Sequence, residues 1–291
     1  MLLAVPNFSE GRDRSAIQAI EAAFATGAAL LDAHSDPVHN RTVLTLSGPD
    51  GSLAGALANG ARACAERIDM RAHDGAHPCI GALDVCPVVW LADADRQGAR
   101  AQALDAARRI GSEAGIPVFL YGDLAPRQSH RERAFFRSGG PVELRRRLEG
   151  GELRPDFGPA ELHPTAGATL VTARPPLAAF NLELEGPAEA AREVAARLRE
   201  MGGGLAGVRA IGIDLGDGRA QVSTNVHDPI AVPLADVAER VRELAAARGA
   251  RVIGAEIVGM VPGAALEGWP GEIPLREFDP AKQVIERRVR A

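Results

Sequence analysis

Four of the seven histidines, His34, His39, His73 and His77, fall between positions 34 and 77. A metal cluster is the first chemistry such a grouping suggests. His73 and His77 stand four apart, but Gly75 and Pro78 interrupt the helix that would turn both imidazoles one way. No firm third ligand is in register, so no metal is expected, and histidines on solvated turns are the alternative. His77 is the better candidate for proton transfer. It lies in Asp74-Gly75-Ala76-His77-Pro78-Cys79-Ile80-Gly81-Ala82-Leu83-Asp84, a glycine-bracketed loop leading into a strand. Loops of this kind carry function because a rigid scaffold positions them. An imidazole near its ordinary pKa moves protons in either direction at neutral pH. Asp84 either orients that imidazole or caps a strand edge, and spacing alone leaves both open. Cys79 next to His77 suggests a Cys–His nucleophile pair, yet neighbours across a proline seldom point together.

Other polar groups sit where ligands are often met. Asn7, Ser9 and Glu10 follow the first strand, at a strand-to-helix turn. Asn40 and Arg41 begin a strand, where an arginine can clamp a carboxylate bidentately. Gln221, Ser223 and Asn225 alternate on one face of a strand in the second half. Taken singly, each also reads as a hydrogen-bonded loop or a solvated sheet face.

The elements that would position these groups follow a repeated order. Leu2 to Phe8 reads as a strand, Asp13 caps a helix to Phe24, and strands follow over 28–33 and 42–46, joined by the loop HSDPVHNR. An alanine-rich helix spans 52–68, a strand 85–91, a helix 97–114 and a strand 117–121. The second half gives a strand over 177–184, a helix over 187–201, a hairpin of 208–215 and 220–226 around Asp217-Gly218, a helix over 233–248 and a strand over 252–258. Both halves show the β-α-β-β-α-β order of the ferredoxin-like motif. The fold class is therefore α/β (α+β), with two tandem ferredoxin-like subdomains, 1–177 and 178–291. The join falls at 150–177, where Gly, Pro and Asp crowd together, and 270–291 reads as an appendage.

Composition narrows the function. The 291 residues carry a net charge of -5 and eleven aromatics, which argues against nucleic acid as a partner. No run of 18 apolar residues spans a membrane, and MLLAVPNFSEGR lacks the positive start of a signal peptide. Three cysteines, Cys64, Cys79 and Cys86, without C-x-x-C spacing fit a reduced, cytoplasmic protein. Lys282 is the single lysine, so Schiff-base and P-loop chemistry are disfavoured.

Several segments resemble the glutamate formimidoyltransferase family: VPNFSEGR at 5–12, HNRTVLTL at 39–46 and HPCIGALDVCPV at 77–88, then IPVFLYG at 116–122, PDFGP at 155–159, AFNLEL at 179–184, QVSTNV at 221–226 and EIVGMVP at 256–262. The likeness runs in order to about residue 268, and it is to the transferase unit alone. It implies transfer of the formimidoyl group of N-formimidoyl-L-glutamate to N5 of tetrahydrofolate, releasing glutamate in histidine degradation. It also implies folate bound in a cleft between the two subdomains, a homodimer, and His77 as the catalytic histidine. The folate-associated segment maps onto Gly158, Pro159, Ala160, Glu161, Leu162, His163, Pro164, Thr165, Ala166 and Gly167.

On this reading tetrahydrofolate is the co-substrate and no metal is needed, because a protonated amidine carbon is already electrophilic. Gly81 joins the binding positions, with Asn7, Ser9, Asn40, Gln221 and Asn225. Arg41 is the first choice for a substrate carboxylate, and Asp84 or Glu10 for accepting hydrogen bonds from the nitrogen of the tetrahedral intermediate. One departure stands out: relatives often carry a basic residue after the His-Pro pair, and this chain has Cys79. N-formylglutamate or formimidoylglycine therefore stays open as the donor. A non-catalytic module binding folate or another small molecule is the alternative from a different class.

Overall fold

The structure is a computed structural model that describes residues 1–49 and 51–289. The chain divides into two compact units, Met1–Pro175 and from Pro176 onward. Positions 290 and 291 of the expected C-terminal half lie outside the described residues.

In the first unit β1 (Leu2–Ala4) and β2 (Asn7–Phe8) form one interrupted strand lying between β4 (Arg41–Gly48) and β5 (Leu83–Trp90), antiparallel to both. The interruption at Val5-Pro6 faces Pro87 of β5, and neither proline has an N–H to give the ladder. The helix α1 (Arg14–Phe24), capped by the Asp13 side chain, leads to β3 (Ala29–Asp36), which pairs with β4. After α2 (Leu53–Arg67) comes β5, giving the order β3-β4-β1/β2-β5 of a ferredoxin-like sheet. Two parallel strands extend it: α3 (Arg96–Glu113) crosses to β6 (Val118–Leu120), and β7 (Thr169–Arg174) inserts between β5 and β6. Between β6 and β7 run two short helices, α4 (Arg133–Arg137) and α5 (Gly140–Glu149).

Alternation along the strands splits the packing into two layers. Cys86, Val88, Val118 and Val171 face a core with Phe24, Leu57 and Ile110 from α1 to α3. Val85, Phe119 and Leu170 face the other way, onto Phe136 and Leu144 of α4 and α5. A sheet covered on both faces explains why every residue of β5 is buried.

The second unit repeats the motif. β8 (Ala178–Glu185), α6 (Ala188–Leu198), β9 (Val208–Gly216), β10 (Arg219–Val226), α7 (Leu234–Ala246) and β11 (Arg251–Ile257) give the sheet order β11-β8-β10-β9. Its core is built of Phe180, Leu182, Val194, Val222 and Val241. The hairpin turns on Asp217 and Gly218, both at positive φ (52° and 72°), as its two-residue type requires.

Four sequence expectations are corrected. HSDPVHNR is half strand, with only 37–40 left as a turn: β3 continues to Asp36 and β4 starts at Arg41, because Ser35 and Thr42 pair and their hydroxyls bond at 2.9 Å. The helix over 187–201 stops at Leu198, where Arg199 is extended. The 150–177 stretch is more than a join, for it holds β7. Residues 270–289 are no appendage: β12 (Leu275–Arg276) pairs in parallel with β11, and Ile273 is buried in the core. The terminal helices α8 (Pro280–Gln283) and α9 (Ile285–Val289) follow, with the Gln283 side chain donating to the carbonyls of Ile257 and Gly259.

Candidate active site

Most of the expected site residues meet on the first unit, where three loops are stitched to the start of β5. The loop after β2 is tied down by Ser9, whose N–H donates to the Ala82 carbonyl and whose hydroxyl donates to that of Gly81, both at 2.8 Å. Its other side is held by Thr42, donating to the Glu10 carbonyl at 2.6 Å. The turn between β3 and β4 is fixed by Asn40, held in the left-handed region at φ 47°. The side-chain oxygen of Asn40 (Oδ1) accepts from Gly11 N–H at 2.9 Å, and its side-chain Nδ2 donates to the Asp74 carbonyl at 3.1 Å.

The segment Gly158–Gly167 ends against the same place. Gly81 bridges Gly167, Ala82 N–H donates to the Ala166 carbonyl at 2.8 Å, and Met70 N–H donates to that of Thr165 at 2.8 Å. Its turn is closed by His163, whose Nδ1 accepts from Ala166 N–H at 2.9 Å. The opposite end is anchored elsewhere, with Gly158 packed on Gly111 and Ile116 at the end of α3. Pro159, Ala160 and Glu161, between the two anchors, are exposed.

His77 is half-buried within this frame. Its Nδ1 lies 2.9 Å from the Pro78 carbonyl, which can only accept, so Nδ1 carries the hydrogen and Nε2 the lone pair. Burial pushes its pKa well below the usual histidine value, and Arg41, Arg137, His39 and Arg133 add to the effect. The imidazole is therefore neutral, in the form that accepts a proton. Buried His39 meets His77 edge-on with ring centroids 6.0 Å apart, and its Nδ1 lies 3.6 Å from an Asp36 carboxylate oxygen.

The structure moves several assignments. Asp84 is not a partner of His77: one oxygen accepts from Ile80 N–H at 2.8 Å and the other pairs with Arg137. The Glu10 carboxylate accepts from the N–H groups of Arg12 and Asp13, at 2.7 and 2.9 Å, and so shapes the approach to α1. The Asn7 amide turns back to the Val5 carbonyl at 3.0 Å. Gln221 and Asn225 belong to the second unit, where with Ser223 they share one face of β10. Cys79 is a protonated thiol: burial, then the nearby Asp84 carboxylate, raise its pKa to about 11. Among the described residues no three His, Cys, Asp or Glu side chains come together as a metal site.

The residues that sequence reasoning missed are Arg133 and Arg137 of α4. Their i,i+4 spacing in RAFFR puts both on one helix face, with Phe136 turned into the core. That spacing was the available signal. Five residues are too few to show a helical period.

The family model described as the formiminotransferase domain, N-terminal subdomain, matches residues 1–174, and that of the formiminotransferase domain matches residues 179–268. Glutamate formimidoyltransferase of Streptococcus pyogenes serotype M1 is 38% identical over 290 residues, 98% of this chain and 97% of that one. The protein of the same name from Thermoplasma acidophilum is 37% identical, covering 90% and 88%. Formimidoyltransferase-cyclodeaminase of Sus scrofa is 40% identical over 89% of this chain but 49% of its own, so the chain spans about half the length of that relative. No helix among the described residues is long and apolar enough to cross a membrane. Two ferredoxin-like units, each matched in turn by its half of the formiminotransferase domain, establish that the chain belongs to the formiminotransferase family.

Proposed function

We propose that the protein transfers the formimidoyl group of N-formimidoyl-L-glutamate to N5 of tetrahydrofolate, with His77 carrying the protons. The observation that most supports this is the match of both halves to one family, with a full-length relative named for that activity. N5 attacks the amidine carbon and becomes cationic, and Nε2 of neutral His77 takes its proton. The C–N bond to glutamate then breaks as His77 returns that proton to the departing nitrogen. General acid–base transfer of this kind contributes ~10²–10⁴-fold, and positioning of the two substrates supplies more.

Tetrahydrofolate, the co-substrate, is assigned to the Gly158–Gly167 segment. The contact of Ala166 and Gly167 with Gly81 and Ala82 supports this, because it sets a glycine-lined backbone beside the His77 loop. We place the reaction in histidine degradation, in the cytoplasm, and assign the protein a homodimeric state. Cys79 keeps N-formylglutamate and formimidoylglycine as competing donors, since a protonated thiol offers no charge to a carboxylate. Incubating the protein with tetrahydrofolate and each of the three donors, then measuring released amino acid, tests the assignment. Release from N-formimidoylglutamate should dominate and should vanish in His77→Ala while tetrahydrofolate binding persists. Wild-type rates in that variant would overturn the role of His77.

A further inference from the structure

The cations around His77 outnumber the anions that could answer them. Arg137 pairs with Asp84, and these side chains are only 11% and 4% exposed. Asp84 spends its other oxygen on Ile80 N–H, and Nε of Arg137 is buried without a hydrogen-bond partner. Arg41, at the start of β4, and Arg133, at the start of α4, make no hydrogen bond or ion pair through their guanidinium groups among the described residues. They are nonetheless close. Burial lowers the pKa of Arg41 to about 10, with Arg137 and Arg133 contributing, while burial and then Arg137 lower that of Arg133. Asp84 is the one carboxylate common to all three guanidinium groups, with Asp36 also near Arg41 and Glu132 near Arg133.

A sequestered cation without a counter-charge is costly, and orphaned donors add to the cost. The arrangement becomes favourable once an anion arrives. Guanidinium forks suit a planar carboxylate, which they hold by paired N–H donors. We propose that Arg41, Arg133 and Arg137 form a carboxylate subsite beside His77 that binds the amino-acid half of the donor. This rests on the transferase reading and specifies its substrate class. The group leaving the formimidoyl carbon is an amine with a carboxylate a few bonds away, not a simple amine.

The same field links binding to proton transfer. His77 is surrounded by Arg41 and His39 from β4 and its turn, Arg133 and Arg137 from α4, with Asp36 and Asp84 as the nearby carboxylates. An anion held by the arginines offsets the charges that disfavour imidazolium. Donor binding would therefore move His77 back toward the ordinary histidine range, where returning a proton to the leaving nitrogen is easier.

Isothermal titration with L-glutamate, the released product, separates the subsite from the activity. Arg41→Gln and Arg133→Gln should each weaken glutamate binding at least about tenfold, as expected for a lost charged hydrogen bond. Circular dichroism checks that both are folded, and Arg133→Lys should recover part of the affinity. The Kd for tetrahydrofolate, measured separately, should stay within about twofold, consistent with this small change in free energy. NMR titration of His77 should show its pKa rising when glutamate is saturating. Weakened folate binding with glutamate binding intact would overturn the proposal and assign the arginines to the folate tail. Glutamate binding unchanged in both Gln variants, or a His77 pKa indifferent to glutamate, would also overturn it. Arginine-dependent glutamate binding without any formimidoyl transfer would instead retain the subsite and sink the transferase reading.

Discussion

The chemistry assigned to His77 depends on a proton that the resting protein does not hold. Desolvation comes first and the arginines second in depressing its pKa, so the free protein keeps a neutral imidazole even in mild acid. A base with a lowered pKa loses activity only when pH falls below that lowered value. The acid limb of kcat/KM, which reports the free protein, should thus lie well under pH 6.5. Arg41→Gln removes one repelling charge and should move that limb upward, although its overall rate is reduced; a stationary limb would contradict the electrostatic account. Cys79 yields the opposite expectation. Its thiol is protonated throughout this range, so Cys79→Ser should retain transfer within about threefold, because only a thiolate is a competent nucleophile. As a candidate, His77 stands out from its loop alone. The arginines do not, because sequence does not say which of 32 arginines meet one another.

Elements place these groups through close backbone approaches that leave no space for side chains. A Cβ on Gly81 would strike the Ala168 carbonyl, and one on Gly167 the Ile80 carbonyl. The His77 loop and the Gly158–Gly167 segment are thus held by contacts that only glycine permits. Gly81→Ala should cost about 1–3 kcal/mol, as overpacking does, and should weaken tetrahydrofolate binding. Thermal melting and a binding titration would check both, and a stable variant with normal folate affinity would refute the coupling. Legibility at this scale followed periodicity. The amphipathic helices α1, α6 and α7 and the Asp217-Gly218 hairpin were readable, whereas β7 was hidden. ATLVTA is a short run, buried throughout, in which Thr169 and Thr172 do not alternate with the apolar residues, so periodicity does not separate it from a helix segment. Positions 34–36, the polar end of the edge strand β3, read as loop for the converse reason, since half-exposed positions weaken the alternation.

At the scale of the molecule, both units protect the same sheet edge in the same way. The last strand of each βαββαβ motif, β5 or β11, is covered by a parallel strand, β7 or β12. Charge is distributed just as deliberately. Many arginines lie in exposed pairs such as Arg242 with Glu272 and Arg251 with Glu185, which contribute little to stability. Net charge is negative, so long-range attraction does not recruit an anionic donor, and local arginines in a half-buried site must. Raising monovalent salt from about 0.05 to 0.5 M should change kcat/KM for the donor by less than about threefold, because short buried contacts are weakly screened. A tenfold fall would reveal a steering field that the charge balance does not provide. The preference for arginine leaves a single lysine side chain in the 291 residues, Lys282, exposed beside Asp279 at the start of α8. Coupling through lysine would therefore attach a dye or a surface at one defined side chain, which is not among the residues assigned to catalysis.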